Sequence, residues 1–253
     1  MKGLYSWLNI THYSITFLMM FRLAIVVPVF NPRDQWLSTL LDRFTTFKNS
    51  LEIEQVQLYI VNDGSQKGLD IDQIQQVLKG YPDVHWMSYS KNTGKGFALR
   101  YAISQIQTEF IIYTDVDMPF ENESMLSIWK ALQSQDVAVG VKNEDYYNSL
   151  PRQRRFISKS LQRLIKMIYP RLLSSDTQCG LKGMNQAGKV VFLKTSINRY
   201  LFDLEFIYLL SRTNLKQTTV PVKLRPGIEF SHMKTRVLFN ELFNFFNILL
   251  KKS

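Results

Sequence analysis

Short apolar runs recur through the first half of the chain, each closed by a polar turn and followed by a segment with helical spacing. Ala24–Val29 is β-branched and stops at Asn31-Pro32, which predicts a buried strand. Trp36, Leu37, Leu40, Leu41 and Phe44 repeat at helical intervals within Asp34–Phe47. Val56–Val61 predicts a second strand, ended by the turn Asn62-Asp63-Gly64-Ser65. Leu69–Leu78 reads as helix, Val84–Tyr89 as strand, Gly96–Ile106 as helix and Phe110–Thr114 as strand. A helix over Glu123–Leu132 and a strand over Val137–Val141 extend the series. Strands alternating with helices predict an α/β fold with a mainly parallel central sheet flanked by helices. No Gly/Ser linker, repeat or low-complexity tract divides the chain. One domain is expected over 22–225, with an N-terminal extension over 1–21 and an amphipathic helical segment over 226–253.

Asp115-Val116-Asp117 follows the fourth strand. Residues two apart in an extended chain point the same way, so both carboxylates converge at the strand's C-terminal edge. Ligands of open α/β sheets bind along that edge. Paired hard oxygens there suit Mg²⁺ or Mn²⁺ shared with substrate phosphates. The same tripeptide alone also reads as a polar turn closing a strand.

Composition narrows the partners. The 253 residues are 45% hydrophobic, enough for a sizeable core. The net charge of +10 favours polyanionic or phosphorylated partners. Tyr146–Ser175 has no acidic residue but carries Arg152, Arg154, Arg155, Lys159, Arg163, Lys166 and Arg171. Cys179 is the single cysteine, which excludes an internal disulfide, and with His12, His85 and His232 it makes no zinc spacing. No apolar stretch reaches transmembrane length. Ile15–Phe21 lacks a small-residue cleavage site before Arg22, so a signal peptide is not expected.

Other α/β chemistries lack their marks. The first strand leads into Asn31-Pro32-Arg33 rather than a dinucleotide glycine fingerprint. Gly94-Lys95-Gly96 lacks the frame of a phosphate loop, and no G-x-S-x-G elbow occurs.

Several motifs stand in order: Val26-Val27-Pro28-Val29-Phe30-Asn31, Val61-Asn62-Asp63-Gly64-Ser65, Asn92-Thr93-Gly94-Lys95-Gly96, Asp115-Val116-Asp117, Asp176-Thr177-Gln178-Cys179-Gly180-Leu181-Lys182-Gly183 and Phe202-Asp203-Leu204-Glu205. Over roughly residues 22–230 this set resembles the family-2 glycosyltransferases of GT-A fold. It is most similar to the dolichyl-phosphate or polyprenyl-phosphate mannosyl- and glucosyltransferases.

The resemblance implies metal-dependent, inverting transfer of a hexose from a UDP- or GDP-sugar to a polyprenyl phosphate. It places Pro28, Val29 and Asn31 in the nucleotide-pocket wall and Asp63 on the base. Lys95 would lie near the diphosphate, with Gly94 and Gly96 allowing close backbone approach. Asp115 and Asp117 would hold the cation. Met118 and Pro119 depart from the family pattern, which commonly supplies a glutamine. Lys142, Arg155 and Ser158 would clamp the acceptor phosphate, and Asp176 would orient the acceptor or act as a base.

Plainer readings exist for each. Asn62-Asp63-Gly64 also suits an Asx turn. Lys95 suits a helix start, and Arg155 a solvated helix face. Asp203 and Glu205 read better as a helix start, where carboxylates favour the dipole. Cys179 reads as a small packed residue.

Phe156, Ile157, Leu161, Leu164, Ile165 and Ile168 alternate with bases, and Val237–Leu250 forms a second apolar set. Such basic amphipathic helices suit an anionic bilayer surface or, more simply, pack on the core. A lipid-linked acceptor favours peripheral contact at the cytoplasmic face of a membrane. Two other readings are a family-2 enzyme acting on a cell-envelope glycan, with Asp176 or Asp203 as base, and a non-catalytic basic protein on membrane or nucleic acid. The aromatics form no RNA-stacking motif, so nucleic acid is not an expected partner.

Overall fold

The computed structural model describes residues 22–53, 55–142, 155, 159, 162–163, 165–167, 172–174, 176–177, 179–199 and 201–227. The expected N-terminal extension, Ser158 and nearly all of the expected C-terminal helix lie outside these residues.

The alternating elements are β1 (Leu23–Val29), α1 (Trp36–Asn49), β2 (Val56–Asp63), α2 (Ile71–Leu78), β3 (Val84–Tyr89), α3 (Lys95–Ile103), β4 (Phe110–Tyr113), α4 (Asn122–Leu132) and β5 (Val137–Lys142). After the basic segment come β6 (Lys182–Asn185), α5 (Gln186–Phe192), α6 (Phe202–Leu210) and β7 (Gln217–Val222). The strands form one sheet of order β3-β2-β1-β4-β6-β5-β7. All neighbours are parallel except β6, which runs antiparallel to both β4 and β5. Separate apolar clusters cover the two faces: α1 and α4 with Leu23, Ile25 and Leu58, and α3, α5 and α6 with Ala24, Val26 and Ile111. That burial on both faces explains the near-continuous apolar runs of the parallel strands.

β1 is central, and β2 and β4 lie on its two sides, so the chain leaves it in opposite directions. Their C-terminal ends share one edge, where a crevice is expected. Proline sharpens it. β1 pairs with β4 only as far as Val26–Tyr113. The Val26 carbonyl accepts from Thr114 N–H, so Pro28, two residues on, faces the same side without an N–H to offer. The ladder therefore cannot continue, and β4 is free to turn away into Asp115-Val116-Asp117.

The α3 start is sealed by protein. The Asn198 carbonyl accepts from Gly96 N–H at 2.8 Å and from Phe97 N–H at 3.3 Å. A Cβ on Gly96 would meet the Ile197 carbonyl at 2.5 Å and Phe202 Cβ at 2.7 Å. Gly94 sits at φ +113°, and a Cβ there would strike the Asn198 carbonyl. These glycines stand against Ile197, Asn198 and Phe202, where the resemblance implied close backbone approach near a diphosphate. Gly96→Ala is expected to cost about 1–3 kcal/mol through overpacking. Urea unfolding checks it, and an unchanged midpoint would contradict the packing.

Candidate active site

Asp63 closes β2 with its carboxylate fully engaged. Oδ1 accepts from Tyr89 O–H at 2.8 Å and Thr93 N–H at 2.7 Å. Oδ2 accepts from Asn92 Nδ2 at 2.9 Å and Gly94 N–H at 2.9 Å. Burial, with Asp63 beside it, pushes the Tyr89 hydroxyl far above the ordinary tyrosine range, so it stays a donor. The predicted Asx turn is made by its neighbour: Asn62 Oδ1 accepts from Ser65 N–H at 2.9 Å. Asp63 thus meets the Asn92–Gly94 loop directly, and its free-carboxylate role toward a base has no spare hydrogen-bonding face on that side.

The expected pocket wall divides. Val29 is buried in the core, so its side chain is not part of an open wall, while Pro28 is half-buried. Asn31 adopts φ 43° and clips two loops together. Its Oδ1 accepts from Gln66 N–H at 2.8 Å and Lys67 N–H at 3.1 Å, and its own N–H donates to Ser65 Oγ at 2.9 Å. Between them Phe30 is 48% exposed, a large aromatic left at the edge. Sequence reasoning assigned it no role.

Asp115 and Asp117 stand past the end of β4. Lys95, at the start of α3, places Nζ 2.5 Å from Asp115 Oδ1. Burial pulls the Lys95 ammonium down, but the charges of Asp115, Asp203 and Asp117 outweigh it and hold its pKa above the ordinary lysine value. Crowding around the Asp117 carboxyl, then the charge of Asp115, pushes its pKa above the ordinary aspartate value, although the residue itself is exposed. The two carboxylates therefore sense each other, the condition a cation relieves.

Two arginines that the sequence did not single out steady the turn. Arg43 of α1 donates to the Asp117 and Met118 carbonyls. Arg225 Nε donates to the Met118 carbonyl at 3.3 Å, and its backbone N–H to Pro119 at 2.8 Å. Met118 is left-handed at φ 36°, a strained state for a non-glycine residue, and its side chain is buried in the core. Met118 therefore supplies no side-chain oxygen to a cation.

Among the described residues no group of three His, Cys, Asp or Glu side chains could hold a metal ion. Two carboxylates at an open edge still fit Mg²⁺ or Mn²⁺, which commonly take one or two protein carboxylates and complete their shell with substrate phosphates and water.

Asp176 is buried and joined to Lys142. Its Oδ2 accepts from Lys142 N–H at 2.7 Å, and its Oδ1 lies 3.5 Å from Lys142 Nζ. The expected acceptor cation and the expected base are thus partners. Arg155 lies half-buried on a helical turn. In that segment Ile165 is buried in the core while Arg163 and Lys166 are exposed. Asp203 is buried against Lys182, and Glu205 accepts from the N–H groups of Ser196 and Ile197, both at 2.8 Å. Both acidic residues are thus engaged by groups outside their own helix. Cys179 is fully buried, and that burial pushes its thiol up to about 11, so it packs rather than reacts.

This chain matches glycosyl transferase family 2 over residues 24–198 and belongs to that family. It is 25% identical over 223 residues to a dolichyl-phosphate beta-glucosyltransferase of Trichomonas vaginalis, covering 84% of this chain and 68% of the relative. To the dolichyl-phosphate beta-glucosyltransferase of Saccharomyces cerevisiae it is 23% identical over 221 residues, covering 79% of this chain and 66% of the relative. The chain thus spans about two thirds of the length of these relatives. In fold it is similar to glucosyl-3-phosphoglycerate synthase from Mycobacterium tuberculosis in complex with UDP, at TM-score 0.59 and 14% identity over 94% of this chain and 81% of that one. A mannosyltransferase from Pyrobaculum calidifontis in complex with GDP-Man and Mn²⁺ superposes at TM-score 0.52 and 15% identity, over 79% of this chain and 55% of that one. The protein is a glycosyltransferase of GT-A fold.

The Asp63 cluster yields a stability test. Asp63→Ala strands the N–H groups of Thr93 and Gly94 and the Tyr89 hydroxyl, at an expected cost of about 2–4 kcal/mol. Urea unfolding measures it. An unchanged stability with weakened nucleotide binding would instead return Asp63 to direct contact with the base.

Proposed function

We propose that the protein transfers a hexose from a nucleoside diphosphate sugar to a polyprenyl phosphate, in one displacement that inverts the anomeric carbon. Glucose and a dolichol-type acceptor are the sugar and lipid named for its relatives. The observation that carries the proposal is the Asp115–Asp117 pair with Lys95 of α3 against it, at the edge where β1, β2 and β4 end.

The nucleotide lies along the ends of β1 and β2. Phe30 offers its exposed ring to the base, and the two loops tied down by Asp63 and by Asn31 fix the pocket's depth. Asp115 and Asp117 are the residues that would hold Mg²⁺ or Mn²⁺ at this edge. When bound, the cation neutralises the charge that grows on the leaving diphosphate. Lys95 is long enough to exchange Asp115 for a phosphate oxygen and adds a second positive charge at the same place.

The acceptor phosphate brings its own negative oxygen, so it needs positioning more than deprotonation. That oxygen attacks the anomeric carbon as the bond to the donor's β-phosphate oxygen breaks, and the nucleoside diphosphate leaves with the electron pair. Lys142, Arg155 and Ser158 form the acceptor clamp, with arginine presenting a planar fork to phosphate. A glycan hydroxyl would need a base. Asp176 and Asp203, the candidates for that role, are each committed to a lysine. The lipid tail requires the enzyme to work at a bilayer surface, and no helix among the described residues is long and apolar enough to cross one.

Transfer of labelled hexose to polyprenyl phosphate, from a panel of UDP- and GDP-sugars with Mn²⁺, tests this. Asp115→Asn and Asp117→Asn are each expected to lower the rate about 10²-fold or more. Full activity in excess chelator would refute the metal role, and no transfer to the lipid from any donor would refute the acceptor. Arg155→Ala is expected to impair lipid-acceptor use with donor binding intact, while Arg163→Ala in detergent stays near wild type. Equal behaviour of the two arginine variants would remove Arg155 from the clamp.

A further inference from the structure

Lys182 opens β6 and is completely buried, an unusual place for a lysine. All three of its donors are used. Nζ lies 2.7 Å from Asp203 Oδ1, 3.1 Å from the Thr177 carbonyl and 2.6 Å from the Cys179 carbonyl. Tyr113, its register partner on β4, donates to the same Asp203 oxygen at 2.6 Å. The ammonium and Asp203 therefore tie the end of β4 and the start of α6 to the turn that carries Thr177 and Cys179.

That turn touches both halves of the candidate site. At one end Asp176 holds Lys142. At the other, Gly180 lies so close to Asp115 that any Cβ would run into its carboxylate. Nothing in this arrangement requires Lys182 to touch a substrate. Its three donors set the height of the turn, and the turn is the floor against which the Asp115 carboxylate rests.

We infer that Lys182, held by Asp203, is a positioning residue that sets the Asp115 carboxylate for divalent-cation binding by fixing the Thr177 and Cys179 carbonyls next to Gly180. The inference rests on the proposed metal role of Asp115 and Asp117. Groups that orient a metal ligand from behind typically change metal affinity or activity by about 10–100-fold when lost.

A buried ion pair also contributes to folding, so the test separates the two roles. Lys182→Met alone leaves Asp203 unpaired and is expected to lower Tm by about 10 °C. Lys182→Met with Asp203→Asn removes both charges and leaves Tyr113 an acceptor, so Tm is expected to recover to within a few degrees of wild type. The turn carbonyls still lack their ammonium. Binding of Mn²⁺ in the presence of UDP or GDP, followed by the EPR signal of free Mn²⁺, is then expected to stay about 10–100-fold weaker than wild type. Recovery of Tm together with wild-type Mn²⁺ affinity overturns the inference, and so does a double variant as unstable as the single one, which would make the pair structural only. Gly180→Ala keeps every charge and presses directly on Asp115. It is expected to weaken Mn²⁺ binding comparably, and unchanged affinity there also overturns the inference. Wild-type protein that binds no Mn²⁺ at all would sink the metal role itself, a separate result.

Discussion

Two carboxylates two residues apart at a strand end repel each other, and the surroundings of Asp115 and Asp117 hold them together. Lys95 pairs with the first. Arg43 and Arg225 grip the backbone carbonyls around the second. The pKa of Asp117 is still pushed up, by the loss of solvent around its carboxyl first and by the Asp115 charge second. An incompletely neutralised acidic pair flanked by a mobile type of side chain suits a substrate that arrives with both a cation and a diphosphate. The strain at Met118 belongs to the same design: the turn is fixed in an unfavourable backbone state to keep Asp117 at the edge.

The sheet supplies that edge for reasons visible in composition. Runs such as Leu23–Val29 and Phe110–Tyr113 are apolar on both faces because helices cover both faces. Their lengths and turns were therefore readable, and the alternation with helices gave the parallel order. β6 was not readable. Lys182-Gly183-Met184-Asn185 is too short for alternation, and Gly183 is there because a Cβ would meet Leu132 at 2.7 Å and Ile128 at 2.8 Å. Only the three-dimensional fit between β4 and β5 makes those four residues a strand.

The site divides along the same line. Local position, at a helix start and a strand end, is enough to bring Lys95 beside Asp115 at the sheet edge, while their roles toward a cation and a diphosphate belong to the proposed function. Lys182, Arg43 and Arg225 were not legible, because a lysine or arginine in sequence reads as solvated surface, and only the fold shows which ones are turned inward. Gly94 and Gly96, to which the resemblance gave close backbone approach near a diphosphate, stand against Ile197, Asn198 and Phe202. Asp63 makes the same point, since a carboxylate at a strand mouth can serve a ligand or a loop, and four protein groups already surround this one.

The central claim is that Asp115 and Asp117 jointly hold a divalent cation against a donor diphosphate. Crystals grown with Mn²⁺ and UDP or GDP, measured for anomalous scattering at the manganese edge, test it most directly. The account predicts a peak within about 2.0–2.5 Å of oxygens from both carboxylates and from the diphosphate, the range of hard-cation–oxygen bonds. A peak bound elsewhere, or a nucleotide seated at the edge with no manganese between it and the two aspartates, would contradict it.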